Sequence, residues 1–231
     1  MIAVNVYRDA PAINAAMGRV YFHMMCAVLT SMVVSFIVGT TPALSQFFLT
    51  GIMHWVVVFA PLVAIFFITP AIMANPPVGV AVAMLQGFAA LMGLSMSAIF
   101  IAYAMTSIFT AFMGAAVLFG VMSFYGYFTK RSLESMGSFL MVGLIAIIIA
   151  SLINIFVGST VMQMVISAIA ILIFLGFTAY DTQQIREAVS VQGDDSVSVE
   201  VLGALNLYLD FINLFVNLLQ LIGVAPGSSD D

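Results

Sequence analysis

Seven apolar runs, each about as long as a bilayer-crossing helix, leave this chain few ways to fold. They lie near residues 20–39, 51–70, 79–102, 105–128, 137–157, 162–184 and 200–222. A helix needs roughly 20 residues, at about 1.5 Å each, to cross a hydrocarbon core of about 30 Å. Most breaks between the runs carry turn chemistry: TTPALSQ, TPAIMANPPVG, FTKRSLESMG and VGSTV. Residues 79–128 hold no such marker, yet one helix there would be roughly 75 Å long. The chain is therefore expected to fold back around AYAMTS. Pro61 falls inside the second run and is expected to kink it. A water-facing surface is missing as well: charged residues are 6 % of the chain, against about 25 % in soluble domains. The expected fold is all-α, a polytopic membrane protein embedded in the lipid bilayer. A cytoplasmic segment 1–19 precedes a seven-helix membrane domain, 20–223, and a short disordered tail, 224–231, follows it.

The few charges set the expected sidedness. Arg8, Arg19, Lys130, Arg131 and Arg186 are the whole basic set. With seven spans and a cytoplasmic N-terminus, all five fall on the cytoplasmic side. The stretch EAVSVQGDDSVSVE, residues 187–200, reads as a polar loop in which Glu187, Asp194, Asp195 and Glu200 are solvated. Glu134 beside Lys130 and Arg131 reads the same way. Ser196 or Ser198 is placed to cap the last helix. The first apolar run is longer than the roughly 7–15 residues of a signal-peptide core, so it is kept as a span. Ten acids against five bases exclude a nucleic-acid surface. The single cysteine, Cys26, excludes a disulfide framework. No HExxH and no glycine-rich phosphate loop occurs, and the chain is read as non-enzymatic, with no tightly bound cofactor.

The last run, GALNLYLDFINLFVNLLQ, is apolar except for Gly203, Asn206, Asp210, Asn213, Asn217 and Gln220. These are spaced by three, four, three, four and three residues, which puts them on one helical stripe. An ionisable group inside a membrane costs on the order of 3 kcal/mol or more and faces the protein interior or a watery cavity. The stripe is therefore expected to face inward. The second intramembrane acid is Asp181, five residues before Arg186. It lies about 7–8 Å from the cytoplasmic end and Asp210 roughly 15 Å from it, so spacing alone leaves open whether the two meet. Carboxylates brought to about 4 Å repel by about 4 kcal/mol at an effective dielectric near 20. Such a pair titrates as a unit and can exchange a proton for a cation. Calcium takes six to eight oxygens, so Asp181 and Asp210 would make only a weak, transient calcium site. Asn206, Asn213 and Asn217 read either as amides bridging packed helices or as the lining of a cation path. Gln86, Ala90, Gly93 and Ser97 form a second small-or-polar stripe, read as close packing. His23 and Asn154 read as satisfied interior groups, and His54 is placed near the outer interface with Trp55.

GFTAYDTQQI, residues 176–185, and LGALNLYLDFINLFVNLL, residues 202–219, resemble the signature segments of the Bax inhibitor family. Residues 119–156 also resemble its bacterial members. The resemblance implies a last helix enclosed by the other six. It also implies a pH-sensing pair at Asp181 and Asp210 that gates a calcium leak on the cytoplasmic side, in a monomer of a bacterial inner membrane. Some relatives instead modulate a membrane protease or cell-death factors, which implies an interaction protein as the alternative. The chain departs from the family where relatives place an arginine latch: FFITPAIMANPPVG holds no basic residue, and Gln220 stands where some relatives have one.

Overall fold

The computed structural model describes residues 9–191 and 197–223. Among them the chain is all-α, and seven helices are long and apolar enough to cross a membrane. The helices are α1 (Ala10–Thr40), α2 (Pro42–Phe48), α3 (Gly51–Met73), α4 (Val78–Met96), α5 (Ile99–Ala102), α6 (Met105–Phe128), α7 (Glu134–Val157), α8 (Thr160–Val191) and α9 (Val197–Ile222). The third span is α4 and α5 together, interrupted at Ser97 and Ala98.

Several ends differ from the apolar runs. Helix α1 begins at Ala10, so residues 10–19 are helical and continuous with the first span. Asp9 caps it by accepting from the Ala12 amide at 3.1 Å, and Pro11 lies in the first turn, where its missing N–H is harmless. Ala16 and Met17 are buried, so this polar-flanked part is held by packing. Helix α8 runs on to Val191 through residues expected in a loop, because Val189 is fully buried there. Asp194, Asp195, Ser196 and the tail 224–231 lie outside the described residues. Helix α3 continues through both Pro61 and Pro70. The helix does break within AYAMTS, at Tyr103 and Ala104. In VGSTV, Gly158 adopts φ 65°, a left-handed cap that favours glycine, and its N–H bonds the Asn154 carbonyl.

The chain divides into two compact units. The first comprises residues 1–102 and 185–208. In it α1 packs on α4, and α3 packs on α4 as well. Ser31 sits at the α1–α4 crossing, where its hydroxyl reaches the Ala89 carbonyl and the Tyr208 hydroxyl, each at 2.7 Å. A Cβ at Gly93 would collide with the Ser31 backbone, so glycine permits this approach. Arg19 forks onto both carboxylate oxygens of Glu200, at 2.8 and 2.6 Å. Glu200 is thus ion-paired in the first turn of α9, not solvated. Ser198 lies within α9 and donates to Asn75 at 3.2 Å instead of capping the helix.

The second unit comprises residues 103–184 and 209–231. Here the packing of α6 on α8 depends on Gly126, where a Cβ would strike the Ala179 carbonyl. Phe211 meets Phe112 and Phe119 edge-on, at ring separations of 5.4 and 5.8 Å. Over the most apolar window of each span, 61 % of the last is buried, against 11–39 % for the other six. That helix therefore has the largest covered share in which to carry polar side chains.

Candidate functional site

Both intramembrane acids belong to the second unit. Asp181 lies on α8, half-buried, between buried Thr178, Thr182 and Gln183. Thr182 donates to Ser123 on α6 at 3.4 Å. Gln183 holds the α6–α7 turn with both ends of its amide. Its nitrogen donates to the Arg131 carbonyl at 2.9 Å, and its oxygen accepts from the Leu133 amide at 2.8 Å. Gln183 escaped notice in the sequence, although it stands two residues after Asp181 in the AYDTQQ segment.

Asp210 lies on α9 beside Phe211 and is 5 % exposed. Its Oδ2 is buried without a hydrogen-bond partner. Asp181 is near enough to act electrostatically on Asp210. The depth gap expected from the sequence narrows, because α8 runs beyond its apolar run. Asp181 is ten residues before the end of α8 and Asp210 thirteen after the start of α9. That is about 15 and 20 Å at about 1.5 Å per residue.

The stripe on α9 does not behave as a whole. Asn206 is exposed, in the first unit, whereas Asp210 is buried and Asn213, Asn217 and Gln220 are half-buried. Asn213 donates to the Leu209 carbonyl and Asn217 to the Asn213 carbonyl, both at 2.8 Å. Both line a groove of about 400 Å³ whose other walls come from α7 and α8. Near its end, Gln163 and Ser167 both donate to the Gln220 oxygen at 2.9 Å, and Asn154 donates to Gln163 at 3.1 Å. Asn154 is therefore a bonded interior residue, while the part played by Gln163 and Ser167 had no signal in the sequence beyond their polarity. His23 is half-buried on α1, and His54 stands edge-on to Trp55 near the start of α3. Among the described residues no three His, Cys, Asp or Glu side chains gather as metal ligands. This part of α8 and α9 carries two carboxyls, Asp181 and Asp210.

An all-α chain with seven membrane-length apolar helices, with an acid buried in the last, is an integral membrane protein of polytopic type. The profile of the family described as "Inhibitor of apoptosis-promoting Bax1" matches residues 13–226. The chain belongs to this Bax inhibitor family. It is 32 % identical over 223 residues to the inner membrane protein YbhL of Escherichia coli K12, a match covering 95 % of each chain. It is 38 % identical over 211 residues to the protein RP147 of Rickettsia prowazekii, covering 90 % of this chain and 88 % of that one. A third relative, YrjE of Lactococcus lactis, is 36 % identical over 225 residues, covering 94 % of each.

Proposed function

We propose that this protein is a pH-sensitive leak pathway for calcium and similar cations, gated by Asp181 and Asp210. It works without enzymatic chemistry in a bacterial inner membrane, with its N-terminus in the cytoplasm. The observation that carries this reading is Asp210: a carboxyl 5 % exposed, with one oxygen unpartnered, within electrostatic reach of a second carboxyl. Burying such a group is costly unless something compensates it. A proton on the pair is one compensating partner, and a passing cation is another. Gain or loss of one proton changes the charge at that level by one unit. Two interacting carboxyls respond as a pair, so one site both senses pH and meets the ion. Two carboxyls supply too few oxygens to hold calcium tightly, which suits passage rather than storage. Family membership supports the reading, as does the inner-membrane description of YbhL.

The test is calcium flux into liposomes carrying the purified protein, followed from acid to neutral pH. Wild type is expected to pass calcium in a pH-dependent way. The double variant Asp181→Asn, Asp210→Asn is expected to lose that dependence. Unchanged flux and unchanged pH response in the double variant defeat the proposal. No flux from the wild type turns attention to the rival class, an interaction protein acting on a membrane protease. A stoichiometric partner crosslinked in native membranes is what that reading requires.

A further inference from the structure

We infer that the groove bounded by α7, α8 and α9 is a water-filled antechamber. It admits hydrated cations from the end of the second unit that carries Gly158 to within one helical turn of Asp210. Gln220, Asn217, Asn213 and Asp210 descend α9 in steps of three, four and three residues. Ten residues at about 1.5 Å make a polar stair about 15 Å deep. The two asparagines on it are tied in the same way, each with its nitrogen on the carbonyl four residues back. An amide so tied keeps its oxygen for another donor or for a cation. The groove thus presents acceptor oxygens along its α9 wall.

The mouth is polar and braced. Gln220 accepts from Gln163 and Ser167, and Gln163 accepts from Asn154, so side chains of α7, α8 and α9 are joined there. A volume of about 400 Å³ has room for on the order of ten waters at about 30 Å³ each. A lipid chain is the other filling that a membrane offers. It would strand the asparagine oxygens against hydrocarbon, which is costly. Water satisfies them, against an α7 wall that is apolar apart from Ser151. Phe174 lies toward the inner end of the lining, its ring 6.0 Å from that of Phe177 on α8. The lining stops short of the acids, neither of which belongs to it.

Its role as an ion route rests on the channel reading above, but its hydration does not, so the two fail separately. The experiment measures thiol labelling, not flux, on the full chain in lipid nanodiscs with Cys26→Ser. Ser151→Cys on the α7 wall and Asn217→Cys on the α9 wall are compared with Ile149→Cys. Ile149 is 53 % exposed on α7, at a depth close to that of Ser151, and does not line the groove. The probes are membrane-impermeant methanethiosulfonates, one carrying trimethylammonium and one carrying sulfonate. Both groove cysteines are expected to react with the cationic reagent at least about tenfold faster than the control, and faster than with the anionic one. Ser151→Cys changes a single atom, so it reports even where Asn217→Cys disturbs the stair. Rates for Ser151→Cys no faster than for Ile149→Cys overturn the water-filled groove. Equal rates for the two reagents overturn its selectivity for cations.

Discussion

Replacing Gln183 tests whether the turn beside the acid pair is held by two hydrogen bonds or by bulk. Gln183 is 4 % exposed and bonds the Arg131 carbonyl and the Leu133 amide. Each bond is worth about 1 kcal/mol net, and a buried amide left unpaired adds about 1–3 kcal/mol. Leu133 is itself buried, at 8 % exposed, so its N–H has little access to water. Gln183→Ala is therefore expected to cost about 3–5 kcal/mol. For a chain of this size each kcal/mol lowers Tm by about 2–4 °C, giving a fall of roughly 6–20 °C. Gln183→Met keeps most of the volume and loses both bonds, so it should fall nearly as far. Circular dichroism during thermal unfolding in a fixed detergent measures both variants. Hydrogen exchange at the Leu133 amide gives the local reading and should accelerate in both. A Met variant with wild-type Tm and wild-type exchange would falsify the hydrogen-bond account and leave packing as the cause.

Three further outcomes follow from particular contacts. Gly126→Ala forces a methyl into the Ala179 carbonyl and should cost about 1–3 kcal/mol, seen as a lowered unfolding midpoint, whereas Gly79→Ala, with open space around it, should not. Ser31→Ala strips the Tyr208 hydroxyl of its bond and should cost about 1–2 kcal/mol; adding Tyr208→Phe should then cost little more, which a double-mutant cycle checks. The Arg19–Glu200 fork joins a half-exposed guanidinium to a largely covered carboxylate. Its coupling in an Arg19→Ala, Glu200→Ala cycle should be up to about 1 kcal/mol and shrink in high salt.

The spans were legible because lipid imposes one strong rule, about 20 apolar residues per crossing. Their ends were not, because polar residues at an end become helical when a neighbour covers the turn. Residues 10–19 of α1 join the helix through buried Ala16 and Met17, and residues 187–191 of α8 through buried Val189. No hydropathy threshold shows such cover. The break at Ser97 was also silent. A Cβ at Gly39 would strike the Ser97 carbonyl, a tertiary contact with no local turn signature. The same lengthening of α8 narrows the depth gap between Asp181 and Asp210 that spacing alone predicts. The stripe on α9 was readable from its period, but the partners that satisfy it, Gln163 and Ser167, stand more than fifty residues away.

Those partners decide which polar residue of α9 calls for a functional explanation. Amides in membrane helices commonly act as packing bridges, as Gln220 does toward Gln163 and Ser167 on α8, while Asn213 and Asn217 each donate to a carbonyl of their own helix. Asp210 differs from them in having a buried oxygen with none. Two other buried side-chain atoms among the described residues share that condition, His54 Nδ1 and Gln86 Nε2. Gln86 has its oxygen bonded to Thr30 at 2.6 Å and is neutral, so its unmet N–H is a modest cost. His54 sits in the first turn of α3, edge-on to Trp55, and its imidazole can be neutral, so its unmet nitrogen is a modest cost as well. Asp210 lies about 20 Å along α9, far from either end, and next to a second acid. A structural role would favour an amide there, which supplies its own donor. A carboxyl at that depth can take up and release a proton, which an asparagine of the same shape cannot.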